Sequence, residues 1–523
     1  MESMSQRRLA RNISVMSIAV FLSRILGLVR DQVMAFFFGG GYLNDAFNVA
    51  YNIPNLLRRL FGEGALSTAF VPIYNDIGIK KGKPAQIDFA LNVLSILTVL
   101  LVLLTLLGIA FAPLIVRLLY PGLAPHTGIV AIKLTRIIFP YLFFIGLSST
   151  FIAILNSHDY FFMTGLSSAL LNIGMILSLL IPYWFWKLPA EQLIYPAGWG
   201  VVIGGTLQTI INFPYLKKVG YRLTILFRIG SEALKTMWQR FVPAMIGIGI
   251  REINLIADAL MASFLPIGSI TALGYGNRLM QLPLGIFAIS AGTAVLPTYS
   301  RLVSKGEYRE LSSSMRLTTL SLAYLMLPIS ALILALAEDF VVILFAHGAF
   351  DQQAVWMSSQ ALIFYSLGLL FYSMNQVLTP LFYARGDTRT PVILAAIMVG
   401  LNISLNFVLM QFLQHRGLAL STSITAFVNY LILIHLIHKR FPQIDNNGVM
   451  FNLLKSVLIA IAIYFFAVYL RKLIPLDSKT GLILKSAVIA SLSFLFFYLA
   501  GLLVHLSYMK EATQNLCKRL RRK

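Results

Sequence analysis

The chain has 523 residues, 58% of them hydrophobic and 12% charged, and carries a net charge of +22. A soluble domain holds about 25% charged residues, so the composition excludes a soluble globular protein and describes a membrane domain from end to end. The basic excess does not point to nucleic acid, because Lys and Arg fall between apolar segments, as they do in multispanning proteins. The single cysteine, Cys517, excludes an intramolecular disulfide or a cysteine-based metal cage.

In chain order, Gln6-Arg7-Arg8 leads into a first segment too long and too polar for a cleavable signal, so this segment is expected to be retained as a span. Apolar periodicity and breakers then predict about fourteen transmembrane helices in an all-α polytopic protein. They start near Asn12, Asp45, Ile87, Gly128, Phe161, Leu193 and Thr236, then near Ile270, Leu311, Ala354, Pro391, Gly417, Met450 and Gly481. Runs such as Leu91–Phe111, Phe161–Trp184 and Leu317–Leu336 are each close to the ~20 residues that cross a bilayer.

The loops alternate in charge. Arg7, Arg8 and Arg11 precede the first span, Lys80, Lys81 and Lys83 follow the second, and Lys217, Lys218, Arg222 and Arg228 follow the sixth. Arg301, Lys305 and Arg309, Arg385 and Arg389, Lys439 and Arg440, and the tail from Lys518 to Lys523 continue the pattern. The intervening loops are poor in Lys and Arg, and Glu338–Gln353 holds Glu338, Asp339 and Asp351 but no basic residue. One loop, with Arg471, Lys472 and Lys479, breaks the rule. The alternation predicts both termini on the cytoplasmic side.

A faint duplication is present. Thr68-Ala69, Pro72 and Tyr74 return as Thr293-Ala294, Pro297 and Tyr299, and Asn52 returns as Asn277 at the same offset. The copies fall in the second and eighth spans, so the halves are expected to be parallel repeats of about six helices each, with a substrate site between them. The predicted division is residues 1–222, 223–441 and 442–523, the last holding the final two helices and the basic tail.

No metal-binding histidine pair on a helix, nucleophile elbow or phosphate-cradling loop is found, so a transporter is expected rather than an enzyme. Gly39-Gly40-Gly41 reads as a turn, and His126, His158, His347 and His415 as solvated or interfacial loop residues. The distinctive residues are charges within apolar spans. Arg24, Arg30 and Asp31 lie in the first span and Arg58, Arg59 and Glu63 in the second. Arg251, Glu252 and Asp258 lie in the seventh and Arg278 in the eighth. Each arginine or aspartate at a helix centre costs about 2.5–3.5 kcal/mol on insertion scales, so such residues face a bundle interior or water.

Arg24 and Asp31 share a helix face and are placed to neutralise one another, while Arg30 points elsewhere. Of the adjacent Arg58 and Arg59, only one can face a central cavity squarely. Arg278 has Asn277 and Gln281 as its near neighbours and no acidic residue on its own predicted helix, which makes it the first candidate for an anionic ligand. An excess of arginine suits phosphate, because guanidinium stays charged and presents a planar fork.

The segments "SRILGLVRD" at 23–31, "DAFNVAYNIPNLLRRLFGEGALSTAFVPIY" at 45–74, "NRLMQLPLGIFAISAGTAVLPTYS" at 277–300 and "LTPLFYARGDTRTPV" at 378–392 closely resemble the MurJ (MviN) family. Its members are bacterial lipid II flippases of the multidrug/oligosaccharidyl-lipid/polysaccharide exporter superfamily. The resemblance covers essentially the whole chain. It implies two lobes around a central cationic cavity, two C-terminal helices forming a groove for a polyprenyl tail, and a location in the bacterial inner membrane. The implied substrate is undecaprenyl-pyrophosphoryl-MurNAc-pentapeptide-GlcNAc, moved from the inner to the outer leaflet by alternating access.

By the same resemblance the cavity arginines are Arg24, Arg58 and Arg278, and further important charges are Arg30, Asp31, Asp45 and Glu63, with Arg59 beside them. Asn277 stands where relatives often carry aspartate. No cofactor is implied beyond a sodium ion, known in some relatives, whose candidates here are Asp258, Asn402, Asn406 and Thr422; Arg251 is the competing partner for Asp258. Partners are expected to be lipid II, membrane lipids and cell-wall synthesis proteins around a monomer, with no nucleic acid. The alternatives are an exporter of another lipid-linked oligosaccharide or of drugs in the same superfamily.

Overall fold

A computed structural model describes residues 21–59, 65–222, 224–444, 448–476 and 478–509. The expected start of the first span, Glu63, Cys517 and the basic tail lie outside the described residues, as does the side chain of Arg251.

All regular structure among the described residues is helical. In order it comprises α1 (21–38), α2 (Tyr42–Arg58), α3 (Ala65–Ala110), α4 (Ala112–Leu119), α5 (Pro125–Ile138), α6 (Tyr141–Asn156), α7 (Phe161–Trp186), α8 (Ala190–Ile210), α9 (Phe213–Val219) and α10 (Glu232–Ser263). Then follow α11 (Ser269–Pro283), a π-helical turn (Leu284–Ala288), α12 (Ile289–Lys305), α13 (Tyr308–Phe345), α14 (Gln352–Ser366), α15 (Leu369–Ala384), α16 (Arg389–Leu413), α17 (His415–Arg440), α18 (Val449–Leu473) and α19 (Lys479–Leu503).

Among the described residues, 9 helices are long and apolar enough to cross a membrane, or up to 11 when each of two bent pairs counts as a span. This is a multi-pass membrane protein. The test stops short of the expected count of about fourteen for physical reasons. Only part of the first span is described, α2 has 17 residues, and α10 carries Glu232, Lys235, Arg240, Arg251, Glu252 and Asp258. The second and third expected spans also run together as α3, which turns at Gly82 (φ 81°) just ahead of Pro84. A positive φ is strained for any residue with a Cβ, so glycine is what lets the chain turn there.

By contacts the chain forms two compact units, Met1–Gly268 with His347–Asp351, and Ser269–Ala346 with Gln352–Lys523. In the first, α2 packs on α5, and α3 packs on both α6 and α10. Helix α10 thus packs within the first unit, whereas the repeat assigns it to the segment beginning at residue 223. The tightest pairing is α7 on α8, where a Cβ on Gly174 would stand 2.8 Å from the backbone of Gly204. Small residues at such crossings let helices approach closely where water supplies no hydrophobic drive. Ala349 N donates to Phe36 O at 2.8 Å, which ties the 347–351 segment to α1.

The duplicated residues take equivalent places. Asn52 and Asn277 sit on α2 and α11, and Tyr74 and Tyr299 sit fully buried on α3 and α12. The Tyr74 hydroxyl meets the Tyr221 hydroxyl at 2.7 Å and His158 Nε2 at 2.8 Å. His158 is therefore a half-buried participant in a knot rather than a solvated loop residue. Burial, and then the nearby Lys83 charge, lower its pKa below the ordinary histidine value.

In the second unit α13 is the central strut. Leu332, Ala335 and Leu336 on it bury Ala467 and Leu470 of α18 and Ile489 of α19. Arg471 explains the loop that broke the charge alternation: its Nη2 lies 2.6 Å from Asp339 and 3.0 Å from Glu338, both at the end of α13. Lys479 Nζ donates to Ala346 O at 2.9 Å. Those basic residues are held by acids and carbonyls of the same unit. His415, expected in a loop, is instead the first residue of α17, 1% exposed, with Nε2 3.1 Å from Met357 O.

Candidate functional site

Asn52, Asn55, Arg58 and Arg59 follow one another within about two turns at the end of α2. Arg58 Nε donates to Asn55 Oδ1 at 2.8 Å, an i, i+3 pair that fixes the guanidinium's direction. Arg59 takes the other side, with Nη1 3.4 Å from Glu252 Oε2 on α10. The two adjacent arginines are thus divided, as their spacing requires: one is held by an amide and the other by a carboxylate. A cavity of about 140 Å³ opens beside them, lined by Asn52, Asn55, Arg59, Tyr120 and Glu252 with apolar residues of α10. Glu252 is 3% exposed. A carboxylate that deep needs a partner, and Arg59 supplies it.

On α1 the outcome differs from the sequence expectation. Asp31 is paired with its neighbour Arg30, whose Nη2 and Nε reach Asp31 Oδ1 at 2.8 and 3.1 Å. Arg24, with which Asp31 shares a face, is exposed on that helix. The adjacent guanidinium folds back along the helix, a reach that face-sharing geometry alone does not weigh. Asp45, 3% exposed in the first turn of α2, accepts a hydrogen bond from Gly268 N at 2.6 Å.

Arg278 stands exposed on α11 in the second unit, and beside it Gln281 Nε2 donates to Asn277 Oδ1. The proposed ion ligands fall in both units. Asp258 accepts from Asn254 Nδ2 at 3.3 Å on α10. Asn402 and Asn406, 2% and 0% exposed, are joined by Asn406 Nδ2 to Asn402 Oδ1 at 3.0 Å. The hydroxyl completing that group is Ser421, which donates to Asn406 and accepts from Asn402 Nδ2. Thr422 Oγ1 instead donates to Leu418 O on its own helix at 2.9 Å. The resemblance singled out the asparagines and Thr422 but not the serine, since the face that α17 turns to α16 is a packing outcome. Asn55 was legible in principle, three residues before Arg58; Tyr120, bonded to Asn52 from outside α2, was not.

The segment 378–392 closes around Asp387, which accepts from Thr390 N at 2.9 Å and Thr390 Oγ1 at 2.7 Å and pairs with Arg440. The Thr390 hydrogen bonds, and then Arg440, hold the carboxyl below the usual aspartate value.

The family model described as "Lipid II flippase MurJ" matches residues 34–488. The probable lipid II flippase MurJ of Vibrio cholerae is 33% identical over 445 residues, which is 83% of each chain. The lipid II flippase MurJ of Burkholderia cenocepacia is 33% identical over 430 residues, 80% of this chain and 82% of that one. Among solved structures, a lipid II flippase MurJ in an inward closed conformation superposes with a TM-score of 0.77 at 29% identity, covering 92% of this chain and 97% of that one. An inward-facing multidrug MATE-family transporter gives a TM-score of 0.69 at 15% identity, over 84% and 99%; that likeness concerns the fold alone. With the match running across nearly the whole length, the chain belongs to the MurJ family of lipid II flippases.

Proposed function

We propose that this chain is a transporter that moves lipid II from the inner to the outer leaflet of the bacterial cytoplasmic membrane, with both termini in the cytoplasm. The observation that carries the reading is the presence of arginines on apolar helices within a chain of this family. Arg24 and Arg278 are exposed on α1 and α11, and Arg58 donates to the Asn55 amide at the end of α2. Guanidinium groups on apolar helices match a pyrophosphate by charge and by fork geometry. In this reading Arg24, Arg58 and Arg278 hold the pyrophosphate while the lobes 1–222 and 223–441 alternate in access, and 442–523 accommodates the lipid tail. The inward closed relative fits such a cycle.

Sodium at Asp258, Asn402, Asn406 and Thr422 belongs to the same proposal, with the Ser421 hydroxyl as a further oxygen beside the asparagines. So do Asp45 and Glu63 as important charges, and a monomer working beside cell-wall synthesis proteins.

The test is Arg278→Ala in a bacterium depleted of the native protein, read by a leaflet-resolved assay of lipid II. Loss of a charge-assisted contact of about 1.5–3 kcal/mol reduces a rate roughly 10- to 150-fold. The expected outcome is an inserted protein, accumulation of lipid II in the inner leaflet, and lysis. Normal translocation by the variant overturns the assignment of Arg278. Drug sensitivity on depletion, without lysis, overturns the substrate in favour of an exporter.

A further inference from the structure

The connection between α9 and α10 is an extended segment whose two faces differ. Leu226 N donates to Ser95 Oγ at 2.9 Å, Arg228 N donates to Asn92 Oδ1 at 2.7 Å, and Asn92 Nδ2 returns a bond to Arg228 O at 3.0 Å. Arg228 Nη1 also reaches Asp88 Oδ2 at 3.4 Å. Asp88, Asn92 and Ser95 follow one another at i, i+4 and i+7, so they form a single stripe on α3. The segment runs along that stripe against the direction of the helix.

The alternate residues turn the other way. Ile225, Phe227 and Ile229 are 82%, 52% and 76% exposed. The docking is made by backbone groups, since Thr224 and the Arg228 side chain are exposed as well. Three of the exposed side chains are large and apolar. The seven residues from Asp88 to Ser95 rise about 10 Å along α3, from the Lys80, Lys81 and Lys83 turn into the Leu91–Phe111 apolar run. The chain enters beside Lys83 at Gly220, reaches the apolar level of α3 at Leu226 and returns toward Asp88 at Arg228.

An extended chain in hydrocarbon is costly because each unsatisfied peptide group there costs several kcal/mol. Asn92 and Ser95, 2% and 8% exposed, satisfy three peptide groups on the docked side. Lys217, Lys218 and Arg222 stand just before the segment, where lipid phosphates lie when the three apolar side chains enter the acyl region.

We propose that residues 224–229 form a lipid-embedded strap: Ile225, Phe227 and Ile229 insert into the leaflet on the basic side of the protein, while Asn92 and Ser95 of α3 satisfy the strap's backbone. The two sequence repeats are then joined through the bilayer interface and not through a free aqueous linker.

The test uses the full chain with Cys517→Ser, carrying Ile225→Cys, Phe227→Cys or Ile229→Cys, labelled with bimane. The host is a nanodisc of phosphatidylethanolamine and phosphatidylglycerol, open to solvent on both faces. Lys81→Cys serves as the aqueous reference and as the check on folding. Nitroxide placed high on the acyl chain is expected to quench the three strap positions several-fold more than the reference, and dissolved iodide several-fold less. Iodide quenching at all three equal to that at Lys81→Cys overturns the proposal. Adding Asn92→Ala should raise iodide quenching at Phe227→Cys at least about twofold, as the freed peptide groups leave the hydrocarbon. No change on that substitution overturns the role given to Asn92.

Discussion

The α2–α10 contact of the first unit meets polarity with an ion pair, Arg59 on Glu252, whereas the α16–α17 contact of the second meets it with a neutral group of Asn402, Asn406 and Ser421. Arg59 keeps a third of its side chain exposed beside a cavity while holding the buried Glu252. Asn402, Asn406 and Ser421 are all but inaccessible and bond to one another. A neutral group can close on itself, because amides both donate and accept. A charged pair cannot do so cheaply; it needs residual solvent, and the cavity beside α2 provides it. At these two contacts the charged pair sits where a cavity leaves residual solvent, and the neutral group sits where the helices lock.

That contrast can be broken experimentally. The largest stability effect is expected from Arg59→Ala, which leaves Glu252 buried without its cation. Breaking a buried pair costs about 3–5 kcal/mol, and the exposure of Arg59 discounts that to roughly 1–3 kcal/mol. Adding Glu252→Gln should restore most of the loss in a thermal unfolding assay; if the double variant is no better than the single, the pair is not what holds the carboxylate.

A smaller effect is expected at the second unit's lock. Ser421→Ala removes one partner from each asparagine and should cost about 0.5–1.5 kcal/mol, whereas Thr422→Val removes only a hydroxyl bonded to its own helix. Equal losses from the two would show that the hydroxyl order is reversed. Sodium sharpens the same comparison: stabilisation by NaCl over KCl that Ser421→Ala abolishes and Thr422→Val spares would place the ion on the lock.

The smallest effect concerns His158. Its folded pKa lies below the ordinary value near 6.5, so the unfolded chain binds the proton more readily. Its contribution is full above that value and fades as pH falls through it toward the lowered one. Thermal stability should therefore decline modestly from pH 7.5 to 5.5, and His158→Gln should flatten that part of the profile. An unchanged slope would remove His158 from the knot's titration.

The apolar runs, the breakers and the repeat around Tyr74 and Tyr299 made the helical membrane fold legible from composition and period alone. Within the candidate site, residue types singled out the arginines, and the resemblance singled out Asn402, Asn406 and Thr422. Pairings were less legible. Asp31 pairs with the adjacent Arg30, and Ser421 bonds the two asparagines, because both outcomes depend on side-chain reach and helix rotation that periodicity does not carry. His415 was misplaced because a polar Gln414-His415-Arg416 run reads as loop, while packing against Met357 and Trp356 buries the ring.

Arg471 bears on how the chain is made. Its acids, Glu338 and Asp339, precede it by more than a hundred residues, so a ribosome delivers them to the membrane well before the basic loop emerges. The charge of that loop therefore meets counter-ions already made, on the helix against which α18 and α19 pack.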